Sequence, residues 1–192
     1  MRAAPAFGLA CIAALQALLG GCDGHKQAPA RSLIGDGTQP ALPLAPDETV
    51  TIGYNANSRS EQHNSIMIRP DGTITLDTDG GTREWRTVST KRIPASALKA
   101  LRDRLAVLRP PVRQPGKPEE VEWFLPVGCH TVYDGGTYGG LIFQKTGYAA
   151  RWVTIPMSGC DTNIAKRIMR MLKPIVNDEP INARAVGLEL SN

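Results

Sequence analysis

The chain has 192 residues, of which 42% are hydrophobic and 5% aromatic, and its formal net charge is +4 at pH 7. This length predicts one folded domain of ordinary size. The small positive excess is compatible with attraction to anionic lipid headgroups. Proteins that read nucleic acid usually carry denser basic clusters and more aromatic residues, so no nucleic-acid partner is expected.

The first 21 residues have the layout of an export signal. They contain one positive charge, Arg2, then a run of small and apolar residues, and no acidic residue. Pro5 and Gln16 interrupt the run, which is too short for the roughly 20 apolar residues of a stable membrane-spanning helix. No later segment is apolar enough to span a membrane either. We therefore predict a signal peptide over residues 1–21.

A short motif ends this leader. Leu19-Gly20-Gly21-Cys22 resembles the lipobox of bacterial lipoproteins, in which a Leu, two small residues and a Cys follow one another. The resemblance implies that the Cys22 thiol is joined to diacylglycerol, that the leader is cut before Cys22, and that the new N-terminus is acylated. Two or more acyl chains make anchoring stable where one gives only marginal binding. The alternative is a chance cysteine in a signal peptide that is cleaved elsewhere.

The residue after the lipobox bears on which membrane is used. Asp23 resembles the signal that retains enterobacterial lipoproteins in the inner membrane. We therefore expect a lipid-anchored, periplasm-facing protein, with the inner membrane preferred over the outer membrane.

Four cysteines are present, of which Cys11 leaves with the leader and Cys22 is lipidated on this interpretation. The remaining two, Cys129 and Cys160, are expected to form a structural disulfide in an oxidising compartment. Closing a loop of about 30 residues stabilises a fold by roughly 3–4 kcal/mol on the chain-entropy model. A zinc site or reactive thiol is the alternative, but no C-x-x-C pair or histidine cluster supports it. No metal or cofactor is expected.

Composition divides the mature chain into three parts. Residues 22–47 are rich in proline and glycine and show no helical or strand period, which predicts a tether. Residues 48–178 carry the alternating and helical patterns of a folded domain. Residues 179–192 are predicted to be a C-terminal tail.

The domain is predicted to be α+β. Asp71-Gly72 lies between two alternating apolar stretches and indicates a hairpin, as does Asp79-Gly80-Gly81 further on. Two helices follow from apolar residues at helical spacing, with Asp161 as the N-cap of the second and Pro174 ending or kinking it. Antiparallel strands with helices on one face are expected. The first helix stripe is Leu98, Leu101, Leu105 and Leu108, and the second is Ile164, Ile168, Met171 and Leu172.

The two halves of this domain resemble each other. A shift of 67 residues aligns six identical pairs over 37 positions, including Gly72 with Gly139 and Trp85 with Trp152. This pattern suggests two tandem units, each a β-meander followed by a helix, over residues 48–109 and 127–176. The alternative is that any two strand-turn-strand-helix units look alike. Trp85 and Trp152 are interpreted as core or helix-packing residues.

The search for catalytic residues finds little. Met157-Ser158-Gly159-Cys160, with His130 upstream, resembles the L,D-transpeptidase motif, but that motif has a His between the Ser and the Gly and an Arg after the Cys, both absent here. A nucleophile also needs a free thiolate beside a base. His130 and a free Cys160 are therefore the residues of a weaker alternative, an envelope hydrolase or transpeptidase.

The proline-rich segment 109–126 contains the pair Trp123-Phe124 and is predicted to be a long loop. Trp123 and Phe124 are interpreted either as anchors that enter a pocket of a partner or as residues that attach the loop to the core. The whole pattern resembles small uncharacterised bacterial lipoprotein domains and is loosely similar to secreted proteinaceous enzyme inhibitors. We expect a module that binds or modulates another envelope component, with an envelope protein as the expected partner.

Overall fold

The structure is a computed structural model, and it describes residues 30–55, 63–79, 86–111, 117, 119–130, 137–156 and 158–186. The predicted signal peptide, the lipobox cysteine Cys22 and the sorting residue Asp23 lie outside the described residues. So do Trp85 and most of the turn predicted at Asp79-Gly80-Gly81.

In the described ranges, seven strands form one sheet in the order β4-β3-β2-β1-β6-β7-β5. Every neighbouring pair is antiparallel except β5 and β7, which are parallel. The strands are β1 Glu48–Asn55, β2 His63–Ile68, β3 Thr73–Asp79, β4 Arg86–Arg92, β5 Val121–Phe124, β6 Thr137–Lys145 and β7 Ala150–Pro156.

The described part of the chain contains two α-helices, which follow the two halves of the sheet: α1 Ala95–Leu105, extended by a 3-10 turn at Ala106–Leu108, and α2 Thr162–Asn177. Asp161 is the N-cap of α2 as predicted, and its carboxylate accepts a hydrogen bond of 2.9 Å from the Asn163 N–H. Of the two effects predicted for Pro174, an end or a kink of the helix, the end is wrong, because α2 continues to Asn177. Ile175 and Val176 are buried beyond the proline, so tertiary packing offsets the lost backbone hydrogen bond.

The core lies on one face of the sheet. Side chains alternate along each strand, so Val50 and Ile52 of β1 point to the same side as Leu141 and Phe143 of β6. These residues form one buried cluster with the apolar stripes of α1 and α2. Both described helices therefore pack on one face, which we call the covered face; the other is the open face. The predicted α+β class, with a mostly antiparallel sheet, is confirmed.

The predicted hairpin at Asp71-Gly72 is present. It joins β2 and β3, with Ile68 paired to Ile74. Gly72 has φ +85°, and a Cβ there would lie 2.8 Å from the Ile93 carbonyl oxygen. Glycine is needed at this turn for both reasons.

The segment assigned to a tether packs against the domain from residue 30 onward. Ile34 is 2% exposed, and the Leu33 N–H donates a 2.9 Å hydrogen bond to the Val107 carbonyl. The segment assigned to a tail also contributes to the core, since Ile181 and Ala183 are fully buried. The composition of these two segments did not predict the contacts, because isolated apolar residues show neither helical nor strand periodicity.

The two candidate tandem units share one sheet. β1 of the first unit pairs with β6 of the second, and α1 and α2 each follow an antiparallel hairpin. None of the helices in the described part of the chain is long and apolar enough to cross a membrane.

Candidate functional site

Trp123 and Phe124 are adjacent on the edge strand β5, so strand alternation points them to opposite faces. Phe124 is 5% exposed and belongs to the core cluster, whereas Trp123 is 62% exposed on the open face. Phe124 therefore attaches this segment to the core, which is one of the two interpretations of the pair. Trp123 is available to a partner.

Trp123 is supported by a second tryptophan. It pairs in register with Trp152 of β7, and the two rings meet edge to face, with centroids 4.8 Å apart and planes at 63°. This is a favoured arrangement of aromatic pairs. Trp152 is half-buried and lies on the open face, so the interpretation of Trp152 as a core or helix-packing residue was wrong.

Two glycines form the floor beside the tryptophans. Gly53 of β1 and Gly140 of β6 are paired across the sheet. A Cβ at Gly53 would meet no atom within 4 Å, whereas a Cβ at Gly140 would lie 2.7 Å from the Val153 carbonyl oxygen. Glycine in a strand interior often marks a place where another molecule approaches the backbone closely.

Because Gly53 and Gly140 have no side chains, a groove of about 500 Å³ lies on the open face of the sheet. We call it the tryptophan groove; its open-face lining consists of Thr51, Gly53, Ser65, Trp123, Gly140, Ile142, Trp152 and Thr154. Its size lies within the range of small-molecule sites. Within the described part of the chain, none of the residues lining the groove carries a charge, so these residues offer aromatic surface, hydroxyl groups and backbone.

Below the groove, on the covered face, lies a polar row of three paired residues: Tyr54 of β1, Asn64 of β2 and Thr78 of β3. Burial raises the pKa of the Tyr54 hydroxyl, and a hydrogen bond from the Asn64 side chain opposes this only partly. Asn64 Oδ1 and Thr78 Oγ1 are buried, and neither accepts or donates a hydrogen bond within the described structure.

A second polar cluster lies inside the core at the start of β1. Glu48 is fully buried, and its Oε2 lies 2.9 Å from Nε of Arg109, while Arg151 contacts Oε1. Burial lowers the pKa of the Arg151 guanidinium. Because Arg109 and Arg151 belong to distant parts of the chain, this cluster connects β1 to the end of the 3-10 turn and to β7. Its role is structural.

The predicted disulfide between Cys129 and Cys160 is confirmed. Its sulfurs are bonded to each other, so Cys160 has no thiol to serve as the nucleophile of the weaker, enzymatic alternative. His130 is exposed, and its backbone N–H donates a 2.7 Å hydrogen bond to the Gly159 carbonyl. Nothing in the described residues assembles a catalytic set around it.

No group of three or more His, Cys, Asp or Glu side chains suited to a metal ion occurs in the ranges that the structure describes. Comparison of the sequence with protein-family models and with curated proteins finds no match to this chain. The site therefore has to be interpreted from its own geometry.

Sequence reasoning missed Gly53 and Gly140, which shape the groove, and interpreted Trp152 as a core or helix-packing residue. A weak signal was present, because Gly53 interrupts the alternating strand "TVTIGYN" at an outward position. The pairing of Gly53 with Gly140 could not be inferred, since it joins strands almost ninety residues apart.

Proposed function

We propose that this protein is a lipid-anchored, periplasm-facing envelope lipoprotein that binds another envelope component through the tryptophan groove. One observation carries the binding role: Trp123 is largely exposed, yet Trp152 fixes its position above a floor of glycine. Exposed aromatic residues in fixed positions are typical binding hot spots, because little side-chain entropy is lost on binding.

The membrane anchor rests on the sequence. The lipobox Leu19-Gly20-Gly21-Cys22 follows an export-type leader, and Asp23 favours retention at the inner membrane. The first described residue, Ala30, is eight positions from Cys22, so the proposed anchor lies close in sequence to the folded domain. A groove on such a domain would be presented to components near the membrane surface.

We also infer that the two halves of the domain derive from a duplicated meander-helix unit. The 67-residue shift aligns the identical pairs noted above, and α1 and α2 begin 67 residues apart, at Ala95 and Thr162. On this proposal β5 is an addition at the sheet edge. In the described residues, Trp152 of the second half lies next to the exposed Trp123 of β5.

The binding proposal is tested by crosslinking the full-length protein in cells and identifying what co-purifies. We expect one envelope component to crosslink to the wild type and to be lost in Trp123→Ala. Val88→Ala is the matched control, because Val88 is a 54% exposed apolar residue on the open face of the distant strand β4. Equal crosslinking of Trp123→Ala and wild type would contradict the proposed site.

The anchor is tested separately. Cys22→Ala should move the protein from the membrane fraction to the soluble fraction, because no acyl chain can then be attached at the lipobox. A Cys22→Ala variant that stays firmly with the membrane would refute lipid anchoring at Cys22 and would leave the groove proposal unaffected.

A further inference from the structure

We propose that the occupant of the tryptophan groove is a neutral glycan segment whose pyranose ring stacks on Trp123. This inference rests on the proposed function and specifies its ligand. Three properties of the groove carry it: the aromatic surface, the arrangement of hydroxyl groups and the lack of charged lining residues.

Trp123 supplies an apolar surface suited to a sugar ring. Its edge-to-face contact with Trp152 holds the Trp123 ring in position, while 62% of the Trp123 surface remains exposed to solvent. A pyranose ring has C–H bonds on its faces and hydroxyl groups around its edge. Its C–H face can cover an indole ring while its hydroxyl groups stay available for hydrogen bonds.

The hydroxyl-bearing side chains follow one another across the groove away from Trp123, where the further sugar residues of a glycan segment would lie. Ser65 is the register partner of Gly53, and Thr154 is the register partner of Gly140. Thr51 precedes Gly53 on the same face of β1. These three residues therefore border the glycine floor, and each hydroxyl can both donate and accept a hydrogen bond.

Charge argues against anionic polymers. No Lys or Arg is found among the described residues that line the groove, whereas nucleic acids need basic residues to neutralise phosphates. Two residues shortly before Trp123 are acidic instead, Glu119 and Glu120. An uncharged ligand is compatible with both observations.

Backbone pairing argues against an extended peptide. Addition of a peptide strand requires a free sheet edge, but the glycine floor of the groove is formed by β1 and β6, each of which is paired on both sides, and the edge strand β5 contributes only Trp123. An acyl chain is also disfavoured, because it would cover Thr51, Ser65 and Thr154 without offering their hydroxyl groups a hydrogen-bond partner. A neutral sugar satisfies the aromatic and the hydroxyl surfaces together.

The test uses the full-length protein in a sugar-free zwitterionic detergent, titrated by calorimetry with three neutral tetrasaccharides. The probes are β-1,4-linked N-acetylglucosamine, β-1,4-linked glucose and α-1,4-linked glucose. We expect saturable binding of at least one of them, weakened at least about tenfold in Trp123→Ala, which corresponds to about 1.4 kcal/mol.

A second variant blocks the groove without removing an aromatic residue. Gly53→Leu places a side chain into open space on the open face, since no atom lies within 4 Å of its Cβ position. We expect Gly53→Leu to stay folded, as thermal unfolding will verify, and to lose sugar binding. Val88→Ala should bind as the wild type does.

Two results would overturn the glycan proposal. The first is that none of the three sugars binds at about 10 mM, a concentration at which even a site with a millimolar Kd is largely filled. The second is that wild type, Trp123→Ala and Gly53→Leu bind the sugars equally well. The crosslinking experiment separates this failure from failure of the proposed function. A protein crosslinked in a Trp123-dependent manner, without sugar binding, would retain the groove as a binding site and assign it to a protein partner.

Discussion

Trp123 and Phe124 are neighbours in the chain but lie on opposite faces of the sheet, the first 62% and the second 5% exposed. One β-strand thus supplies both a residue of the core and a residue of the tryptophan groove. The consequence is that stability and the proposed binding can be tested separately at two adjacent positions.

Substitution of these two residues should separate folding from binding. Phe124→Ala removes a fully packed aromatic ring, and we expect the free energy of unfolding to fall by about 3–5 kcal/mol. Trp123→Ala loses mainly its contact with Trp152, so we expect a fall below about 1.5 kcal/mol. Urea unfolding of both variants measures the difference, and equal losses would contradict the assigned faces.

The buried ion cluster gives a second prediction. Glu48→Gln leaves the guanidinium groups of Arg109 and Arg151 buried without their counter-charge, and we expect a loss of about 3–5 kcal/mol in the free energy of unfolding. Lys99→Ala is the control, because its ion pair with Asp103 is exposed and should contribute less than about 0.5 kcal/mol. If denaturant unfolding showed that Glu48→Gln and Lys99→Ala are equally stable, a structural role for Glu48 would be refuted.

The burial of Tyr54 predicts a loss of stability at high pH. Burial raises the pKa of its hydroxyl above the ordinary value of 10.0, so the folded state holds this proton more tightly than the unfolded state. The resulting stability is present below pH 10.0 and is lost as the pH rises above that value.

Tyr54→Phe tests this pH dependence. We expect the free energy of unfolding of the wild type to fall more steeply above about pH 10 than that of Tyr54→Phe, measured by urea unfolding at a series of pH values. The free energy of unfolding near neutral pH serves as the reference for each protein, because the substitution also removes the hydrogen bond between Tyr54 and Asn64. Parallel curves for the two proteins would show that Tyr54 does not titrate differently in the folded state.

The disulfide should contribute measurably to stability. The bond joins residues 31 positions apart, and its removal in Cys129→Ser, Cys160→Ser should lower the free energy of unfolding by about 3–4 kcal/mol. A thiol reagent added to denatured, unreduced wild-type protein should label neither cysteine. Labelling of Cys160 under these conditions would instead revive the thiol-dependent enzymatic hypothesis.

Features encoded by a few consecutive residues could be predicted from the sequence. The Asp71-Gly72 hairpin follows from the conformational freedom of glycine, and the N-cap at Asp161 follows from its carboxylate reaching a nearby backbone N–H. Leu101 and Leu105 are buried as their helical spacing predicts. Each of these depends on interactions within one turn of the chain.

The errors occurred where distant contacts outweigh local preference. Pro174 disfavours a helix locally, but the buried residues after it keep α2 intact to Asn177. Ile34 lies in a proline- and glycine-rich stretch that shows no helical or strand period, yet its side chain is buried in the core. Local composition cannot predict such contacts, because the packing partners come from other elements.

The sequence by itself determined the lipobox prediction, the α+β class and the pairing of the last two cysteines, since motif, periodicity and elimination need no knowledge of the fold. Only the tertiary structure decided that Trp123 stands beside Trp152 and that Gly53 meets Gly140. The physical reason is that strand order and register are set by burial of the whole covered face, and that choice fixes which side chains meet on the open face.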